Sequence, residues 1–245
     1  MTSLERIANE EFKLFRAEYS DLYPLAWEAE KTRILAMLKR FIPLDLADQA
    51  ATGFKPAYFE TPLAGEIDGI KLHGRIDRLD IGPTGFRVVD YKTGSGGIKK
   101  GESVENAIIK SKSFQLPVYL DLAEAWLAKQ HPSPLLPLPS RERVGVRDGS
   151  AVFYRLEEDD AVDEPLEIGP SFWKEHGARF YKNLAFLVKN IKTGTFYIRP
   201  SDPRGYCDWC HYAAVCRKEH KPTQIRSENS PQRKKHQEAF TPQKD

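Results

Sequence analysis

The amino-acid sequence predicts an α/β fold, a central β-sheet flanked by helices, and three observations carry that expectation. Two amphipathic stretches open the chain at residues 4–18 and 24–41. A β-rich region follows, in which runs at 70–81 and 86–91 are joined by Gly82-Pro83-Thr84-Gly85 into a hairpin. Beyond it, helical and extended patterns succeed one another as far as residue 191.

Each element has a local cause. The second helix carries Pro24 in its first turn, where a missing N–H costs least. Residues 57–63 read as the first strand. Gly94-Ser95-Gly96-Gly97 is too flexible to continue the hairpin and opens an irregular loop. Residues 113–130 read as helix, with Ser113 as a cap and Pro117 early enough to be tolerated. Pro132, Pro134, Pro137 and Pro139 then break it. A strand is expected at 151–156 and a long helix at 171–191, ended by Gly194. Residues 195–198 read as a short terminal strand, the last 25 residues lack an apolar period, and no internal repeat is present.

Composition narrows the function classes. At 245 residues with 40% apolar side chains, the chain is long enough to bury a sizeable core. The net charge of +2 hides an asymmetry: residues 217–245 hold eight basic and four acidic side chains, leaving the remainder at −2. Such a basic end suits either a nucleic-acid backbone or a solubilising tail. No run of eighteen apolar residues occurs, and acidic residues occupy the place of a secretory apolar segment, so no membrane partner is expected and the cytoplasm is the default compartment. No G-x4-G-K-[ST] phosphate loop exists, which excludes an ATPase of that type.

The hairpin, "GRIDRLDIGPTGFRVVDYKTG", concentrates the chemistry. Asp90 and Lys92 are two positions apart and so share a strand face, while the turn can bring Asp77 back beside Asp90. Two adjacent carboxylates repel, and a divalent cation relieves that repulsion; Mg²⁺ suits hard oxygen ligands and keeps several waters. Lys92 can orient the attacking water or stabilise charge developing on phosphorus. By spacing alone the trio fits either such a site or the solvated face of a hairpin. Val88 and Val89 imply a buried central strand, where charges at its end are harder to assign to surface decoration. Gln115 and Tyr119, at i and i+4 of the following helix, share a face that can turn toward the sheet end, or can equally be an amphipathic core edge.

With "GRIDRLD", "VVDYKTG" and "QLPVY" in view, the chain resembles the catalytic core of PD-(D/E)XK nucleases, specifically the RecB-like nuclease domain of bacterial AddB-type exonuclease subunits. The resemblance implies a restriction-endonuclease-like α/β fold: a central mixed β-sheet flanked by helices, with a C-terminal cysteine-rich segment. It implies that Asp77 and Asp90 bind the metal, that Lys92 is catalytic, and that Gln115 and Tyr119 are auxiliary catalytic or DNA-positioning residues. Glu60, in "AYFET", stands where the family often has an acidic residue near its first strand. The implied organisation is an N-terminal helical segment (1–50), a nuclease core (51–200), a cysteine-rich cluster segment (201–220) and a disordered basic tail (221–245).

The implied activity is Mg²⁺-dependent hydrolysis of DNA phosphodiesters, exonucleolytic, in double-strand break repair and recombination beside a helicase or helicase-nuclease partner.

"CDWCHYAAVC" places Cys207, Cys210 and Cys216 in a C-x2-C-x5-C spacing suited to iron or zinc. It resembles the family's 4Fe-4S signature, in which a fourth cysteine lies far upstream. Here no upstream cysteine exists, and His211 is badly placed beside Cys210 to complete a Cys3His zinc site. The family's early-helix histidine is also missing, since no histidine precedes His73. The resemblance therefore covers about residues 24–218 and reads as a family domain shortened at its front. Two other readings stand beside it. One is a catalytically inactive DNA-binding or scaffold module, with Lys99, Lys100, Lys110, Lys112, Arg217 and Lys218 on phosphates. The other is a zinc module built on the cysteines.

Overall fold

The computed structural model describes residues 3–19, 23–67, 69–92, 114–130, 149–156, 166–195, 207, 210–217 and 219–240. Helix α1 (Ser3–Glu18) turns Ala8 and Phe12 inward, and the Phe12 ring meets Trp27 edge-on at 5.7 Å. Helix α2 (Pro24–Thr52) begins on its N-terminal proline and ends at Gly53, whose φ of 76° lets its N–H close back onto Gln49 O. The expected stop at residue 41 is corrected here, because α2 continues through Pro43. An interior proline costs about 3 kcal/mol in an isolated helix. In this one the turns beyond it hold Asp45 and Asp48, which bind the arginines of the sheet.

Strands β1 (Lys55–Ile67), β2 (Ile70–Gly82) and β3 (Gly85–Lys92) form an antiparallel meander. The β2–β3 turn is the expected one, closed by the pair Gly82 and Gly85 with Gly85 at φ 135°. Helix α3 (Gln115–Gln130) then leads to β4 (Gly149–Arg155), which pairs parallel to β3, and β5 (Leu166–Ile168) adds an antiparallel edge. The sheet order is β1-β2-β3-β4-β5. It is a mixed β-sheet with helices on its faces, consistent with a restriction-endonuclease-like α/β fold. A helix between parallel neighbours is the usual way to return the chain to the same edge of the sheet.

Helix α4 (Pro170–Lys192) packs on the face that α3 covers. Leu79 and Val88 of the sheet meet Leu116, Leu120 and Leu127 of α3 and Phe172, Phe180 and Leu184 of α4. The opposite face is closed by α2, with Phe41 against Val89, Val152 and Tyr154. Strand β3 is consequently buried on both sides, as its Val88-Val89 pair predicts.

The C-terminal region holds α5 (Ala213–Cys216), α6 (Lys221–Glu228) and α7 (Pro231–Phe240). The sequence leads one to expect a disordered tail from residue 221, and two helices stand there instead. The cause is tertiary: Phe240 and His236 of α7 pack on Phe186 of α4, both rings 6.1 Å from it. The anticipated elements at residues 94–97 and 196–198, the cap Ser113 and the lysines at 99, 100, 110 and 112 lie outside the described residues. Among the described residues no helix is long and apolar enough to cross a membrane.

Candidate active site

The register of β2 on β3 runs up to the pair Arg78 and Val89, next to Asp77 and Asp90 on their strands, and the Asp77 charge is close enough to act on the Asp90 carboxyl. Directly opposed residues of an antiparallel pair project to the same face. Asp77 Oδ2 accepts the Tyr91 backbone N–H at 2.8 Å, which ties this carboxylate to the strand that carries its partner. Asp90 lies on the central strand, flanked on its other side by β4, and is only 1% exposed.

Lys92 and Gln115 close around Asp90. Lys92 Nζ stands 2.6 Å from Asp90 Oδ2 and donates to Gln115 Oε1 at 2.9 Å. Gln115 Nε2 in turn donates to Asp90 Oδ1 at 2.7 Å and to the Tyr119 hydroxyl at 3.3 Å. One amide thus holds the lysine with its acceptor end and the aspartate with its donor end, which fixes the orientation of Gln115 without ambiguity. The i, i+4 pair at the start of α3 therefore does face the sheet end. Gly74 makes room for it: a Cβ there would lie 2.7 Å from Tyr119 Cε1.

Burial pushes the Asp90 carboxyl above its ordinary pKa; the Lys92 ammonium opposes this, and the Asp77 charge adds to it. Asp90 Oδ2 is buried, with the Lys92 ammonium 2.6 Å away as its partner. A buried carboxylate close enough to a second one to feel its charge is a pair of hard-oxygen donors, chemically fitted to a divalent cation. Among the described residues no group of three His, Cys, Asp or Glu side chains could hold a metal. A cation held by one or two carboxylates and keeping much of its water, as Mg²⁺ is, is the kind such a pair suits.

Other expected residues sit elsewhere. Glu60 has φ 45°, in the left-handed region, and its exposed carboxylate pairs with exposed Arg75 at 3.1 Å. It does not complete a three-carboxylate set with Asp77 and Asp90. His73 is exposed on β2. Cys207 and Cys216 are half-buried and Cys210 is exposed, and among the described residues no group of three His, Cys, Asp or Glu side chains, these thiols included, could hold a metal.

The opposite face of the same hairpin holds an ionic network that sequence reasoning missed. Arg78, 3% exposed in its side chain, donates to Asp80 at 2.6 and 2.8 Å, to Asp45 of α2 at 2.9 Å and to the Tyr91 hydroxyl at 2.9 Å. Arg87 bridges Asp80 and Asp48 at 3.1 and 2.7 Å, with its guanidinium 5.2 Å above the Phe54 ring. Burial raises the Tyr91 hydroxyl pKa, against the pull of the Arg78 charge, so it remains a neutral partner. The available signal was "DRLD": an arginine and an aspartate two apart on a strand whose valines already predict burial.

The sheet end thus carries Asp77 and Asp90 on neighbouring strands, with Lys92 two residues beyond the second. The family model of the PD-(D/E)XK nuclease superfamily matches residues 2–217, and the chain belongs to that superfamily. Among solved structures, one titled "Crystal structure of SSO0001" is similar at 14% identity, with 84% of this chain and 80% of that chain covered and a TM-score of 0.26. No curated protein matches the chain.

Proposed function

We propose that this chain is a Mg²⁺-dependent deoxyribonuclease that hydrolyses phosphodiesters at DNA ends. The observation that carries the reading is the clamp at the sheet end: Asp90 held by Gln115 at 2.7 Å and by Lys92 at 2.6 Å, within reach of the Asp77 charge. Asp77 and Asp90 would hold the cation. When bound, it supplies a Lewis acid beside the scissile phosphate. Lys92, with Asp90 as its immediate neighbour, donates to a phosphate oxygen as negative charge develops. Gln115 accepts a hydrogen bond from Lys92 Nζ and so fixes the direction of the ammonium beside Asp90. Tyr119 contributes a hydroxyl within reach of the same amide, placed to donate to the DNA backbone.

The resemblance to AddB-type domains extends this proposal to exonucleolytic work in double-strand break repair, with a helicase or helicase-nuclease partner providing unwinding. Glu60, paired with Arg75 on the exposed edge of β1, has a supporting electrostatic role in the same proposal. The iron–sulfur reading of Cys207, Cys210 and Cys216 rests on the resemblance alone, and iron content of the purified protein decides it. A second reading, a DNA-binding module without catalysis, is favoured by the presence of only two converging carboxylates among the described residues.

The test is digestion of end-labelled single-stranded DNA by purified protein with Mg²⁺ and with EDTA. Cleavage in Mg²⁺ alone supports the nuclease. DNA binding without cleavage in either condition supports the second reading.

A further inference from the structure

We propose that Arg78 and Tyr91 are positioning residues that hold Asp77 in register with Asp90 from the opposite side of the sheet. Arg78 directly follows Asp77 on β2, and Tyr91 lies between Asp90 and Lys92 on β3. Successive strand residues project to opposite faces, so these two side chains sit behind the site. They complete a closed circuit. Tyr91 donates its backbone N–H to Asp77 Oδ2 at 2.8 Å, its hydroxyl accepts from Arg78 Nη1 at 2.9 Å, and the peptide bond between 77 and 78 joins the ends. A shift of β2 along β3 therefore breaks both bonds together.

The circuit is anchored outside the hairpin. Asp45 of α2 holds the Arg78 guanidinium at 2.9 Å on two of its nitrogens, and Asp80 holds it at 2.6 and 2.8 Å. Helix α2 reaches Asp45 only by running through Pro43. Buried ion networks are often replaceable by apolar side chains without loss of stability, so stability alone gives weak grounds for this one. A planar guanidinium binding three partners in fixed directions does supply what opposed carboxylates need, a defined separation. The inference rests on the nuclease reading for its purpose, although the circuit itself is independent of metal.

The experiment compares wild type, Tyr91→Phe and, as a control of similar small stability loss, Ile168→Val in the core on the other face. Tyr91→Phe removes only the hydroxyl. Two readouts are taken: exchange of the residue-91 amide hydrogen without metal, and Mn²⁺ binding followed by electron paramagnetic resonance. The proposal expects amide exchange at least tenfold faster and Mn²⁺ affinity about tenfold weaker in Tyr91→Phe, with Ile168→Val like wild type in both. Arg78→Lys, which keeps the charge and loses the fork, falls on the side of Tyr91→Phe. Unchanged amide protection in Tyr91→Phe overturns the circuit, and faster exchange with unchanged Mn²⁺ affinity overturns its positioning role. A wild type that binds no Mn²⁺ and cuts no DNA removes the nuclease reading and the positioning role with it, while the amide exchange still decides the circuit.

Discussion

Asp90 Oδ2 and Lys92 Nζ stand 2.6 Å apart, yet the aspartate side chain is 2% exposed and the lysine 31%. The carboxylate has left water while its partner has kept a share of it. Burial therefore dominates the aspartate, and its pKa rises despite the adjacent ammonium. A pair arranged for stability alone would not be built this way, because the buried charge costs more than a half-hydrated partner returns.

The first prediction follows from that imbalance. Asp90→Asn removes the buried charge and lets Lys92 turn toward solvent. In EDTA at neutral pH the variant is expected to be more stable than wild type by about 0.5–2 kcal/mol, as removal of an active-site conflict often is. Its cleavage is expected to be lost. Denaturant unfolding measures the first, and a clear loss of stability would contradict a net cost of burying the Asp90 charge.

The same shift sets a pH dependence. The folded state holds the Asp90 proton more tightly than the unfolded chain does, so the group's contribution is fully present below the unfolded value of 3.8 and is lost as pH rises through the higher folded value. Thermal unfolding in EDTA from pH 3.5 upward should show this loss in wild type and not in Asp90→Asn; parallel curves for the two would refute it. A divalent cation competes with the same proton, so its affinity should rise across the same window.

Gly74→Ala tests the placement of Tyr119. The new Cβ would approach Tyr119 Cε1 to 2.7 Å, so the ring must move, and with it the hydroxyl beside Gln115. Overpacking of this kind costs about 1–3 kcal/mol. The expected result is a folded protein with a modestly lower melting temperature and a disproportionately lower kcat. Full activity would show that Tyr119 has no part in the reaction.

Gln115→Leu separates orientation from binding. It removes both bonds that hold Lys92 and Asp90 in place while keeping side-chain bulk near the buried start of α3. The cleavage rate should fall by about 10²-fold, the scale of a lost positioned group, with DNA affinity little changed. Equal loss of rate and DNA affinity would instead make Gln115 a binding residue.

How far these features could be read from sequence depends on whether their causes are local. The β2–β3 hairpin was legible because period and turn chemistry agree over a short span, and its register brings the strand positions of Asp77 and Asp90 to the same end of the sheet. The facing of Gln115 and Tyr119 was legible as an i, i+4 pair. Helix α2 past Pro43 was not, since its continuation depends on Asp45 and Asp48 meeting arginines some thirty to forty residues away, the bonds to Arg78 and Arg87 spanning 33 and 39 positions. The helices at 221–240 escaped notice for a similar reason: α7 owes its place to Phe186 and not to a period of its own. Strand β5 is three residues long and leaves little pattern to find.

The central claim is that Asp77, Asp90 and Lys92 act on one phosphate in the presence of a divalent cation. Its most direct test is the Mg²⁺-dependent cleavage rate of single-stranded DNA by Lys92→Ala beside wild type, with DNA affinity and melting temperature measured on the same samples. A loss of about 10²-fold or more in rate, with affinity and fold retained, is the predicted result; equal rates for the two proteins would contradict it.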